Sequence, residues 1–152
     1  MNNAGEFSVT TPTDRQIVMT RSFDAPRELV FEAWTKAEHV AQWWDPSGVP
    51  LTVCEIDLRV GGTFRWINII NGMESPFTGT YREIVPPERL VFSSGPESAA
   101  TLIFSESSGK TTLKMILECA SKEDRDALLQ MRVDAGAART LENLAAYLQQ
   151  IG

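Results

Sequence analysis

Asp57 and Arg59 stand two apart before Gly61-Gly62, so on an extended segment they share a face and can form an ion pair. Left free, Asp57 is a possible general base. An opposite charge close by lowers a carboxylate's proton affinity, so the pair reads better as a turn-stabilising one. Glu83 alternates with Phe77, Gly79 and Tyr81 and shares their face if no bulge intervenes. It is then a buried acid; otherwise it faces solvent or pairs with Arg82 or Arg89. Glu83, Tyr81 or Asp57 is the proton-transfer group that an enzyme built on this chain would use, though no catalytic residue is assigned. Trp43 and Trp44, with Pro46, offer large apolar faces and indole N–H groups that can orient a ligand. As neighbours on one helix they cannot both face inward, so lining and structural roles stay open for the pair. Trp34 lies on an apolar stripe and is expected in the core.

The missing chemistry is as informative. His39 is the sole histidine, and Cys54 and Cys119 are isolated in apolar runs, so no metal cluster is expected and both thiols read as reduced core residues. Serine-nucleophile signatures, glycine-rich phosphate loops and dinucleotide fingerprints do not occur, so no cofactor is expected. Fourteen basic against twenty acidic residues leave a net charge of -6, which repels phosphate backbones and makes nucleic acid a poor partner. No stretch approaches the roughly 18 apolar residues of a membrane span, and the polar start has no signal-peptide core, so a cytoplasmic location is expected. Whether the chain is a monomer or a homodimer stays open.

The elements that must position these groups follow from periodicity. Residues 1–13 carry none and read as a flexible tail, leaving 14–152 as one domain. Arg15 to Phe23 alternates as a strand. Pro26, after the possible cap Asp24, opens a helix bearing Leu29, Val30, Ala33 and Trp34, and a second short helix runs from Ala37 to Trp43. Asp45-Pro46-Ser47-Gly48 ends it. Strands are expected at Leu51 to Leu58, Thr63 to Ile70, Phe77 to Val85, Arg89 to Ser93, Ala99 to Ser105 and Thr111 to Cys119. Asn71-Gly72, Pro86-Pro87, Gly95-Pro96 and Ser108-Gly109 separate them. Short turns force antiparallel pairing, hence a meander. Ser121, three residues before Asp124, is a helix cap. The stripe Leu128, Met131, Ala135, Ala138, Leu141, Leu144, Ala145 and Leu148 predicts one long helix, or two abutting near Gly136.

An open antiparallel sheet with one apolar face must be covered, and that terminal helix is the sizeable element able to do it. The fold class is therefore α+β, with a curved antiparallel sheet wrapped around a long C-terminal helix and two short helices after the first strand. A strongly twisted sheet around one helix leaves room between them. Phe64, Trp66, Tyr81, Phe92, Phe104, Met115, Leu117 and Met131 are candidates to line it. Each alone reads more readily as core; the set does so less, because few other elements fill the interior.

The run Arg21-Ser22-Phe23-Asp24-Ala25-Pro26, leading into Val30-Phe31-Glu32-Ala33-Trp34-Thr35 and then Trp43-Trp44-Asp45-Pro46, resembles the family named after the activator of the heat-shock protein 90 ATPase. That family belongs to the START-related, helix-grip (SRPBCC) superfamily. Asp57-Leu58-Arg59-Val60-Gly61-Gly62, Gly79-Thr80-Tyr81-Arg82-Glu83-Ile84 and Pro86-Pro87-Glu88-Arg89-Leu90 extend the resemblance, which spans Gln16 to Leu148. It implies a helix-grip fold with a cavity, in a superfamily that includes lipid carriers, hormone receptors, polyketide cyclases and many small bacterial proteins. The expected function is binding of a small hydrophobic molecule, a lipid, polyketide or aromatic metabolite. The alternatives are a cyclase- or lyase-like enzyme and a chaperone-interacting stress-response module. Many relatives carry Gly-Trp in the last helix, where this chain has Gly136-Ala137. Without that indole, either the cavity is larger or other residues fill it.

Overall fold

A computed structural model describes residues 7–47, 49–95 and 98–151. In chain order the elements are β1 (Phe7–Thr10), β2 (Gln16–Phe23), α1 (Arg27–Thr35), α2 (Ala37–Trp43), β3 (Val53–Ile56), β4 (Thr63–Ile70) and β5 (Met73–Val85). β6 (Arg89–Gly95), β7 (Ser98–Ser107), β8 (Lys110–Glu118), α3 (Lys122–Gln130) and α4 (Val133–Ile151) follow. The strands form one curved antiparallel sheet in the order β1-β2-β8-β7-β6-β5-β4-β3, the α+β helix-grip arrangement expected. β3 to β8 run as a meander. At two of its turns the residues take the left-handed conformation that tight hairpins need: Asn71 (φ 53) with Gly72 (φ 78), and Ser108 (φ 53) with Gly109 (φ 77). Gly48 and Pro96, expected in turns, lie outside the described residues.

The chain start departs from expectation. Residues 7–10 are not tail but an edge strand, β1, with Phe7 opposite Arg21 and Val9 opposite Met19. Four residues are too few to show a period, and the strand forms because β2 offers a ladder to pair with. Residues 1–6 of the expected tail lie outside the described residues.

Helix boundaries were partly legible. Ser121 caps α3 as expected, its Oγ accepting from Asp124 N at 3.1 Å. Asp24 does not cap α1; Glu106 reaches across from β7 instead, its Oε1 accepting from Arg27 N at 3.0 Å. The terminal helix breaks at Arg132 (φ 60) rather than near Gly136, which lies within α4. Beyond the break Thr140, Leu141, Leu144 and Leu148 are buried, and α4 packs on α1, α2 and β2. The first half of the apolar stripe stays outside that contact: α3 buries no residue, and Met131 and Ala135 are exposed.

Polar ties fix the end of α2 on α4. Thr140 Oγ1 donates to Trp44 O at 3.2 Å, Asn143 Nδ2 donates to Asp45 O at 2.8 Å, and His39 Nδ1 bonds Tyr147 Oη. On β2, Arg21 is buried, its guanidinium 5.2 Å from the Phe23 ring centroid and 3.2 Å from Glu142 of α4. No helix of the described residues is long and apolar enough to cross a membrane.

The sheet also needs one glycine for closeness. A Cβ on Gly79 would sit 2.6 Å from Phe64 Cε2 and Cζ and 3.0 Å from Ser93 O, so the bare backbone of β5 lets the Phe64 ring lie close against it. Gly79→Ala should lower stability by about 1–3 kcal/mol, the usual cost of an added methyl in a filled core. Urea unfolding reads this as a lower midpoint; an unchanged midpoint would mean that the Phe64 ring moves aside freely.

Candidate functional site

Indoles from the two short helices meet rings from the sheet. Trp34 of α1 and Trp43 of α2 contact edge-on, with centroids 4.8 Å apart. Trp43 is fully buried and its Nε1–H donates to Ala33 O at 3.1 Å, which ties α2 to α1. Trp44 is the C-cap of α2, still with helical dihedrals (φ -64, ψ -40), and its ring turns to the sheet. There it lies 4.7 Å from Trp66 and stacks on Phe77 at 5.2 Å with an interplanar angle of 22°. The expectation that these neighbours cannot both face inward is thus corrected: one packs within the helical layer and the other against the strands. Phe64 links the group, 4.7 Å from Trp66, 5.4 Å from Tyr81 and 5.1 Å from Phe92.

Other candidates lie apart from this group. Phe104 is buried against Phe31 of α1 at 5.3 Å. Met115 and Leu117, on β8 opposite Met19 and Ile17, are half-buried against the core. Met131 does not line the interior; it is 76% exposed at the break between α3 and α4. Glu83 does not share the face of Tyr81, because a bulge between them makes Arg82 an extra residue and passes the inner face to Ile84. Its carboxylate turns outward to pair with Arg89. Phe77, missing from the expected lining, carried a legible signal: it precedes Gly79 and Tyr81 at alternate positions of one strand.

Three polar atoms inside the group stand out. Trp34 Nε1, Trp66 Nε1 and Tyr81 Oη have no hydrogen-bond partner among the described residues, and their residues are 2%, 1% and 1% exposed. A buried donor left unpaired costs about 1–3 kcal/mol. Arg21 Nε is likewise unpartnered, on a side chain whose Nη1 bonds Glu142.

The interior disfavours charge. Burial, and then the nearby Cys54, hold the Tyr81 phenol well above its ordinary range. Burial, and then Glu55, push the Cys54 thiol from 9.0 up to about 11. Burial, and then Asp124, raise Cys119 as well. At neutral pH these groups are neutral: hydrogen-bonding groups rather than bases or nucleophiles. Asp57 is bound to Arg59 at 2.9 Å, both largely exposed, as the turn-stabilising reading expected. The described residues hold no group of three or more His, Cys, Asp or Glu placed for a metal ion.

A family model described as Activator of Hsp90 ATPase homolog 1-like protein matches residues 24–149. The chain belongs to that family. No curated protein matches this Hsp90 ATPase activator homologue-like chain. Among solved structures, a Rhodobacter sphaeroides protein is similar at 25% identity and a TM-score of 0.89, covering 97% of this chain and 100% of its own. A Nitrosomonas europaea protein shares 21% identity at a TM-score of 0.85, with 92% and 97% coverage. One from Chromobacterium violaceum shares 27% identity at 0.75, with 90% and 98% coverage.

Two outcomes follow for the family member's interior. Tyr81→Phe removes an unpartnered hydroxyl and should leave stability unchanged or raise it by about 1 kcal/mol in urea unfolding; a clear loss would show that the hydroxyl has a partner in solution. The neutral forms of Cys54 and Tyr81 are favoured by folding. Cys54's share of stability is therefore complete below the unfolded thiol's 9.0 and is lost as pH rises through about 11. The urea midpoint should fall across that window, with a shallower fall in Cys54→Ala; equal slopes in the two proteins would contradict the assignment.

Proposed function

We propose that this protein binds a small, largely apolar molecule at the half-buried rings of Trp44 and Phe77, behind which Trp66, Phe64 and Phe92 are buried, with Met115 and Leu117 further along the concave side. Proteins of this superfamily generally bind hydrophobic ligands. The observation that carries the reading here is the stacked pair Trp44 and Phe77. Both are half-buried, so a cluster that is otherwise sealed reaches solvent through two large apolar faces. Such faces favour an apolar guest because each ring offers a wide contact area with little rotamer entropy to lose.

The cyclase- or lyase-like alternative is less well supported. It needs a carboxylate turned to the ligand: Asp57 and Glu83 are held by arginines on the outside, and the buried Asp45 spends its Oδ1 on Ser47 N and Oγ at 2.8 and 2.7 Å. Tyr81 remains, but a phenol raised by burial is a poor base near neutral pH. The chaperone-interacting reading has the family description as its support.

N-Phenyl-1-naphthylamine, a neutral fluorescent probe, should bind with one site per chain and be displaced by members of a lipid and aromatic library, with matching complexes in native mass spectrometry. Trp44→Ala should weaken the probe roughly tenfold, the equivalent of about 1.4 kcal/mol, while Glu83→Gln leaves it unchanged. A protein that takes neither the probe nor any library member would sink the proposal.

A further inference from the structure

The aromatic face carries polarity of one kind. Indole N–H groups are donors only, and a neutral phenol is a donor that can also accept. Trp66 and Tyr81 flank the same ring, Phe64, at 4.7 and 5.4 Å, and Trp34 lies 6.4 Å from Trp66 between the centroids. Three donors on neighbouring residues therefore end in the interior without a partner, although Trp43 beside them is fully satisfied by Ala33. Phenylalanine at Trp34, Trp66 or Tyr81 would supply apolar surface without that penalty. The side chains of the same cluster include Leu51, Cys54, Ile56 and Leu90, and burial holds Tyr81 neutral, as in surroundings that penalise charge.

We infer that the ligand carries a neutral acceptor oxygen, the carbonyl of an aryl ketone or quinone, which takes a hydrogen bond from one or two of Trp66 Nε1, Trp34 Nε1 and Tyr81 Oη. This deepens the binding reading above and rests on it. A carbonyl oxygen has two lone pairs and so can satisfy two of these donors at once. A hydrocarbon of the same shape satisfies none. A carboxylate would satisfy them but surrender its hydration among apolar groups. Sites built to hydrogen-bond a ligand group reject the analogue lacking it far more strongly than apolar pockets reject a missing methylene.

The test uses matched small probes on the full chain: acetophenone, ethylbenzene and benzoate as a one-ring set, and 1-tetralone with tetralin as a two-ring set. Titrations are followed by the indole ¹⁵N–¹H resonances. Each ketone should bind about tenfold or more tightly than its hydrocarbon and more tightly than benzoate. The Trp34 or Trp66 indole signal should move downfield while that of Trp43, already bonded, stays in place. In Tyr81→Phe the ketone should weaken at least about threefold or keep its affinity with a larger indole shift, and the hydrocarbon should be unaffected. A hydrocarbon or benzoate that binds as tightly as the ketone overturns the inference and leaves the binding reading intact. So do ketone complexes in which the Trp34 and Trp66 indole signals do not move. Failure of every one of these probes while N-phenyl-1-naphthylamine still binds overturns the inference alone; failure of that probe and the library as well removes both.

Discussion

One terminal helix cannot cover a sheet this wide, and the rest of the structure depends on how the remainder is closed. α4 packs on β2, α1 and α2, and α1 meets β7 and β8, so the helices shield one side of the concave face. Over β4 and β5 the cover is side-chain surface: Trp44 laid on Trp66 and Phe77, and braced from behind by Trp34 and Trp43. Rigid rings do this well, because they bury a large area for few rotatable bonds. The ties from Thr140 and Asn143 to the backbone of Trp44 and Asp45 hold that wedge in place by making α2's end and α4 one unit.

The same closure sorts the polar groups. Carboxylates that might have entered the interior are kept at the rim by arginines two or six positions away, Asp57 by Arg59 and Glu83 by Arg89. Two charged side chains are buried all the same: Arg21, lying over Phe23 and paired with Glu142 on α4, and Asp45, whose carboxylate accepts from Ser47 N and Oγ. Among the rings, neutral donors remain, with the Cys54 thiol and the Tyr81 phenol that burial keeps protonated. Such an interior is suited to recognition by shape and hydrogen bonding rather than to proton transfer, which needs a group whose affinity lies near the working pH.

Much of this architecture could be read from residues close together in the chain. The Asn71-Gly72 and Ser108-Gly109 hairpins, the Ser121 cap, the bounds of α2 and β4, and the Asp57–Arg59 pair are local events, decided by turn chemistry, alternation and short-range contact. Aromatic positions at alternate places, Phe64 with Trp66 and Phe77 with Tyr81, marked the inner face. Family motifs from Arg21 to Leu90 pointed to the same fold.

What the sequence by itself determined was therefore the order, type and inner face of most elements, because periodicity and turn residues act over a few positions. Tertiary structure decided what depends on distant partners. β1 exists because β2 accepts it, and α1 is capped by Glu106 rather than Asp24 because β7 passes its first turn. Arg82 bulges out and reverses the expected side of Glu83, and α4 turns at Arg132, leaving Met131 in solvent. Trp44 faces the strands because it stands one helical step beyond Trp43, at a backbone that Thr140 of α4 holds. Apart from the turn at Arg132, whose bonds are local, these are outcomes of contact between segments distant in the chain, where no local period carries information.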